Sequence, residues 1–338
     1  MNHYENCMQC PKKCGVNRTQ KQKGFCQETD DLKIAFAGLH FGEEPLVTVF
    51  GGSGTIFITG CTLRCAFCQN YQISQNGYGS NVDSKEFTKM CLDLQNAGAE
   101  NINIVTGSHH IPKLAEFIRA AKDAGVTIPF CWNSSAYETV ESLELLKDLV
   151  TIWLPDLKTL SSSLSKDLFL APDYPQVATK AIKWMIQNNP LKIKTVESPK
   201  NAKSIEWAQD GEPREKMEQG VIIRHLFLPG KFQETADVLQ WLKENADTKT
   251  CISLMNQYTP VSFDEEKTKL ERRQKALKAI ENRLVSKEED LDIQDLIEAY
   301  DFEYLFYQEL SDDTSWLPDF TKPQPFSNAL ATPIWHCK

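Results

Sequence analysis

Short apolar, β-branched runs recur along most of the chain, at Gly54–Thr59, Asn101–Val105, Thr127–Cys131, Thr151–Leu154, Val221–Leu228 and Thr250–Leu254. Each is followed by a stretch with helical spacing of its apolar positions. After the first run, Asp83 stands as an N-cap with Glu86 three residues on, and Phe87, Met90, Cys91 and Leu94 share one face before Gly98. After the second, Pro112 opens a helix carrying Leu114, Phe117, Ile118 and Ala121, and Gly125 closes it. Further helices are predicted near Glu138–Leu149, Tyr174–Gln187, Glu234–Ala246 and Glu265–Leu284. Strands that alternate with helices need crossover connections, which predicts parallel strands covered by helices. Six such units predict an α/β fold, a partial (β/α)6 TIM-type barrel.

The ends and one internal stretch fall outside that rhythm. Residues 1–30 form a four-Cys unit, 45–260 the barrel, and 261–338 a helical and aromatic C-terminal extension. A connector with His40, Glu43, Glu44 and Pro45 joins the first two. Leu191–Gln219 is polar and strand-poor and reads as an insertion or mobile loop. The tail beyond Leu291 is acidic, then aromatic through Trp316, Phe320, Phe326 and Trp335, and is expected to pack on the barrel.

With 338 residues and 41% hydrophobic composition, the chain is long enough for one large domain with small additions. It has no apolar run long enough to span a bilayer and its N-terminus is polar, so the expected location is cytoplasmic, away from membranes. The formal net charge of −9 argues against a nucleic-acid partner, which would need clustered Lys and Arg. Eight of the eleven cysteines lie before residue 92, seven of them in two tight groups, and in a reducing compartment such groups favour metal over disulfides.

The most informative group is Cys61-x-x-x-Cys65-x-x-Cys68, in the loop after the first predicted barrel strand. Three thiolates can bind three irons of a cubane [4Fe-4S] cluster and leave the fourth iron open, as a catalytic metal centre requires. A zinc site completed by Cys91 or a histidine is the alternative, although Cys91 sits on an apolar helix face and suits the core. The segment, with Phe67 just before the third cysteine, resembles the signature of the radical S-adenosylmethionine (SAM) family. That resemblance implies reductive cleavage of SAM to methionine and a 5'-deoxyadenosyl radical that abstracts hydrogen from a substrate.

Within that family, almost the whole chain resembles the branch like pyruvate formate-lyase-activating enzyme. Cys68-Gln69-Asn70 resembles the Cys-x-Asn that follows the cluster motif in glycyl-radical activases. Leu154–Lys158 looks like their Asp-Leu-Lys, with Asp156 and Lys158 expected to hold the polar end of SAM. Arg224 with Leu228-Pro229-Gly230 resembles their Arg and Val-Pro-Gly element, and Met255–Tyr258 the end of strand six. The resemblance implies a SAM site formed by Phe67, Thr106, Asn133, Ser134, Asp156, Lys158 and Arg224. It also implies a glycyl-radical protein as substrate, with modification of another peptide or metabolite as the rival. A non-catalytic iron-sulfur carrier or zinc-dependent binding module is the alternative outside enzymes.

Two departures stand out. Thr106-Gly107-Ser108-His109-His110 replaces the family's Gly-Gly-Glu, leaving amine contacts to Thr106, Ser108 or backbone carbonyls, and Asn133 replaces an Asp of the activases. His109 and His110 at a loop mouth read as solvated, or as metal ligands or proton carriers.

Cys7, Cys10, Cys14 and Cys26 make a unit too short to fold on a core of its own, so a second metal site is expected there, zinc or an auxiliary cluster. Lys12, Lys13, Arg18, Lys21 and Lys23 against Glu5 suggest a basic face that docks an acidic electron donor such as flavodoxin or ferredoxin.

Overall fold

The computed structural model describes residues 3–198, 212–327 and 330–337. Its strands are β1 (Leu32–His40), β2 (Ser53–Ile58), β3 (Ser80–Val82), β4 (Ile102–Val105), β5 (Phe130–Ser134), β6 (Ile152–Pro155), β7 (Lys192–Val196), β8 (Arg214–Leu226), β9 (Cys251–Met255), β10 (Leu305–Gln308) and β11 (Ala331–His336). They join in the order β10-β9-β8-β6-β5-β4-β2-β1-β11, with β3 on β1 and β7 on β8. From β2 through β9 the pairing is parallel, and β10 adds a parallel strand beyond β9. Six strand–helix units form an open barrel, as the alternation of patterns requires.

Two helices follow their sequence signals closely. In the helix Ser84–Asn96 the Asp83 carboxylate accepts the Glu86 N–H. In the helix Ile111–Asp123 the second residue is proline, which lacks only a donor that the first helical turn leaves unpaired anyway. The helix expected at Glu138–Leu149 is instead one short turn, Val140–Leu143, followed by a 3-10 turn, Glu144–Leu146. Leu143, Leu146 and Leu149 recur every third residue and all are buried, so the tighter winding keeps them on one side. Burying such side chains contributes roughly 1.5–3 kcal/mol each.

The polar stretch read as a mobile loop is ordered at both ends. Lys192–Val196 pairs antiparallel with Arg214–Gln219, a two-stranded ribbon that continues into barrel strand β8; the rest of that stretch, 199–211, lies outside the described residues. The Glu265–Leu284 helix is shorter than expected, Lys267–Leu277, and a further helix runs from Lys287 to Tyr300 behind a Ser286–Glu289 capping box. In the tail, Phe320 and Phe326 pack on Phe36 and Phe57, and β11 pairs with β1.

Side-chain alternation divides the barrel strands. Ile104, Trp132, Trp153 and Ile223 point outward into the main core beneath the helices. Cys131, Ile152, Leu154, Ile222 and Cys251 form a separate apolar cluster on the other face, where Leu46 and Val47 join them. Those two residues belong to the 41–52 connector, which folds under the barrel as a plug: Met217 N–H donates to the Leu46 carbonyl at 2.9 Å and Asn101 Nδ2 to that of Val47 at 3.0 Å.

Candidate active site

The chain leaves β2 through Gly60, whose φ of +89° lies in the left-handed region that glycine adopts without strain. The turn carries Cys61, Cys65 and Cys68 over the C-terminal mouth of the barrel, close enough for their thiols to interact electrostatically. Leu63 N–H points to Cys61 Sγ at 3.4 Å and the Ser74 hydroxyl lies 3.2 Å from Cys68 Sγ. Loop backbone groups are tied down on both sides: Ala66 N–H donates to Leu168 at 2.8 Å, and Gln75 Nε2 and Arg273 Nη1 donate to the Cys65 carbonyl at 3.0 and 3.1 Å. Phe67 wedges edge-on between Phe169 and Tyr258.

Beneath the loop runs a chain of charges. Asp156 accepts from Lys158 Nζ at 2.7 Å and from Arg224 at 2.8 and 2.9 Å, and Arg224 Nη2 also donates to Asn133 Oδ1 at 2.5 Å. Burial alone would raise the Asp156 pKa, but Arg224 and Lys158 outweigh it and hold the carboxyl below the usual range. Lys158 in turn lies within electrostatic range of the Cys65 sulfur. The segment is braced from behind: Tyr174 Oη donates to the Asp156 carbonyl at 2.6 Å and accepts the Lys158 N–H at 3.0 Å. Buried His225 contacts the Leu157 carbonyl at 2.7 Å and the Thr235 hydroxyl at 2.9 Å, and burial lowers its pKa to about 4.

Thr106 and Ser134 sit at the C-terminal ends of neighbouring strands. Thr106 has φ +64° and its N–H donates to the Asn133 carbonyl at 2.9 Å; the Ser134 hydroxyl accepts the Ala136 N–H at 3.1 Å. Ser108 donates at 2.5 Å to Glu138 Oε1, which also accepts from the Trp132 indole at 3.3 Å. Glu138 is a buried carboxylate that pattern reasoning passed over, because one acidic residue at a helix start reads as a cap. Glu43 and Glu44, connector residues in the sequence pattern, belong to the plug, and both lie against Arg224, at 3.6 and 4.0 Å.

The four-Cys unit docks on this mouth. Cys10 lies within electrostatic range of Cys7, Cys14 and Cys26, and Phe25 N–H donates to Cys14 Sγ at 3.2 Å. Arg18 and the two histidines differ from the solvated groups expected. Arg18 is fully buried, donating to the carbonyls of Thr29 and His109 and to His110 Nε2 at 3.0 Å. His109 and His110 are buried with it, and burial beside Arg18 depresses both pKa values, that of His109 to about 3. Lys12 is also drawn inward, its ammonium 2.6 Å from the Leu170 carbonyl and over the Phe25 ring, and Lys21 is paired with Asp30 and Asp31. The basic face expected on this unit is therefore largely spent on internal contacts.

Among the described residues, no three or more His, Cys, Asp or Glu side chains converge on a single ion position. Cys61, Cys65 and Cys68 nevertheless fit an iron-sulfur cluster in the chemistry of their donor set: three soft thiols on one loop, with N–H and hydroxyl groups on two of the sulfurs.

Residues 55–193 match the family model described as Radical SAM superfamily. An uncharacterized protein of Methanocaldococcus jannaschii is 29% identical over 267 residues, covering 77% of this chain and 68% of that protein. Among solved structures, the chain is similar to Streptococcus suis SuiB bound to precursor peptide SuiA, with TM-score 0.48, 13% identity, and coverage of 74% of this chain and 46% of that one. It is also similar to a domain of pyruvate-formate lyase-activating enzyme from Bacteroides vulgatus, with TM-score 0.36, 10% identity, and coverage of 59% and 92%. The chain thus spans less than half the length of the SuiB chain it matches.

Proposed function

We propose that this protein, whose residues 55–193 match the radical SAM superfamily, cleaves SAM reductively at Cys61, Cys65 and Cys68 and abstracts a hydrogen atom from a substrate held in the barrel lumen. A [4Fe-4S] cluster on those three thiolates would supply the electron for cleavage to methionine and a 5'-deoxyadenosyl radical. The observation that carries the reading is the placement of three free thiols beside the Lys158–Asp156–Arg224 chain at the C-terminal ends of the strands. Lys158 and Arg224 offer cationic partners for a carboxylate, and Asp156 one for an ammonium group. Phe67 in the thiol loop and Thr106, Asn133 and Ser134 at the strand ends complete the cofactor site in this reading. The electron comes from a one-electron donor protein such as flavodoxin or ferredoxin, which the internally paired Arg18, Lys12 and Lys21 leave little basic surface to attract. Cys7, Cys10, Cys14 and Cys26 hold a second metal, zinc or an auxiliary cluster.

The motifs at Cys68–Asn70 and Leu154–Lys158 support a glycyl-radical activase with a partner protein's glycine as substrate. Modification of another peptide or metabolite is favoured by Glu43 and Glu44, which place carboxylates in the lumen that a glycine backbone has no charge to match. The test is anaerobic reconstitution, dithionite reduction with SAM, and assay for 5'-deoxyadenosine. The wild type is expected to form it and Cys61→Ala/Cys65→Ala/Cys68→Ala is not; equal yields from both would overturn the reading.

A further inference from the structure

The floor of the lumen carries more negative charge than its own cations can satisfy. The plug that presents Glu43 and Glu44 is rigidly held. Besides the Leu46 and Val47 contacts, the Glu100 carboxylate accepts the N–H groups of Val49 at 2.6 Å and Phe50 at 3.1 Å. The two glutamates therefore cannot swing out to solvent without unpacking the barrel floor.

Arg224 offsets them only in part. Its closest partners are Asp156 at 2.8 Å and Asn133 at 2.5 Å, whereas Glu43 and Glu44 stand off at 3.6 and 4.0 Å. Lys158 is likewise engaged by Asp156, at 2.7 Å. The cations facing Glu43, Glu44 and Asp156 are Arg224 and Lys158; His40, also beside Glu44, is held neutral by burial with a pKa of about 4, and the Ser253 hydroxyl next to Glu44 carries no charge, so the excess carboxylate falls on the two glutamates. Burial pushes both of their pKa values up, that of Glu44 to about 7.

A second observation points the same way. The Asn103 side chain, fully buried on the lumen side of β4, lies close enough to Glu43 to favour its charged form, yet among the described residues neither amide atom makes a hydrogen bond of 3.5 Å or less, and neither does Glu44 Oε2. Buried amides are ordinarily paired, so one carboxylate oxygen and one amide left unmatched at the same place describe a receptor for a polar group supplied from outside.

We propose that Glu43, Glu44 and Asn103 bind a cationic end of the substrate, a primary ammonium or a guanidinium, and so select substrates bearing an amine or guanidine group. The proposal rests on the radical SAM reading of the same lumen. The cation's N–H groups donate to Glu44 Oε2, Glu43 and the Asn103 carbonyl oxygen, which removes the like-charge conflict between the two carboxylates. A neutral or anionic group at that place would leave the conflict in force.

The test is calorimetric titration of the anaerobically reconstituted protein, without reductant, with n-butylamine, n-butylguanidine and butanoate. Saturable binding of the two cations is expected, with none of butanoate, and Glu44→Gln should weaken cation binding at least tenfold. Glu44→Gln should also melt at the same temperature as the wild type or higher, because it removes one of two crowded carboxylates. A counter-ion role toward Arg224 predicts a lower melting temperature. The proposal is overturned by absence of saturable cation binding, by equal binding of butanoate, by wild-type binding in Glu44→Gln, or by a drop in that variant's melting temperature. None of these readouts involves SAM cleavage, so a protein that binds the amines but forms no 5'-deoxyadenosine would refute the reaction and leave the receptor standing.

Discussion

Arg273 donates from Nη1 to the carbonyl of Cys65 at 3.1 Å, reaching back 208 residues along the chain from the C-terminal extension into the loop that carries the thiols. The same nitrogen donates to the Ala66 carbonyl at 3.0 Å, while the other side of the guanidinium forms a bidentate pair with Glu265 at 2.9–3.0 Å. Both side chains are almost entirely buried, at 5% and 2% exposure. Arg273→Met would strand the Glu265 carboxylate, a loss of about 3–5 kcal/mol. Arg273→Met/Glu265→Leu should recover most of that stability, because an apolar pair carries no desolvation cost. It should not recover iron, since in both variants the Cys65 carbonyl keeps only its side-chain bond from Gln75 and the Ala66 carbonyl loses the Arg273 donor. Urea midpoints and iron per chain after reconstitution measure the two effects, and full iron in the double variant would reduce Arg273 to a partner of Glu265.

Tyr174 makes a comparable contribution from the outer face of the barrel. Its hydroxyl satisfies the Asp156 carbonyl and the Lys158 N–H together, so Tyr174→Phe leaves two buried backbone groups unpaired. The expected loss is about 1–3 kcal/mol. The strand end that positions Asp156 and Lys158 loosens with it, so the SAM dissociation constant measured by equilibrium dialysis should rise while that of Arg119→Gln, an exposed helix variant, stays at the wild-type value. Unchanged SAM affinity in Tyr174→Phe would separate this brace from the cofactor site.

Much of this arrangement was legible in the pattern of the chain. Strand alternation alone places Asp156 and Arg224 on lumen faces, and the caps at Asp83 and Pro112 mark two helices to within a residue or two. What escaped depends on partners distant in sequence. Strand β1 reads as connector because its partners are β2, β3 and the distant β11, with Phe36 opposite His336. Arg18 read as surface charge because the carbonyls that receive it, at Thr29 and His109, converge only on folding. Glu43 and Glu44 sit in a loop whose destination the local sequence does not encode. The helix after Ser286 is hidden for another reason: of its residues only Ile293 is fully buried, so its apolar stripe is too narrow to stand out.

Acid should weaken the fold through its buried histidines. His225 has a folded pKa of about 4, lowered by burial first and by Lys158 in addition, against about 6.5 for a free imidazole. Between those values the unfolded chain binds the proton and the native one does not, so stability is complete above about pH 6.5 and falls as pH drops toward 4. His225→Gln removes that proton uptake. Urea midpoints at pH 7.5 and pH 5 should differ less in the variant than in the wild type, even if the variant is less stable at both. An equal or steeper fall in His225→Gln would assign the acid sensitivity to other groups.

Gly60 and Gly98 separate backbone strain from crowding at the docked four-Cys unit. Both have positive φ, +89° and +96°, so alanine at either carries a similar left-handed strain, on the order of 1 kcal/mol. Their surroundings differ. A Cβ at Gly98 meets nothing within 4 Å, whereas one at Gly60 would lie 2.5 Å from Glu28 Cγ, 2.8 Å from His109 Nε2 and 3.2 Å from the Cys26 carbonyl oxygen. Those three atoms join the four-Cys unit and the β4 loop to the residue before Cys61, so Gly60→Ala must push the unit off the mouth or distort the thiol loop. Gly98→Ala should therefore lower the urea midpoint modestly and leave tryptic cleavage after Lys21 and Lys23 as in the wild type. Gly60→Ala should lower it further and expose both sites to rapid cleavage. Equal midpoints and equal cleavage in the two variants would mean that the unit is not seated against Gly60, and with that the contact between the two cysteine groups would be lost.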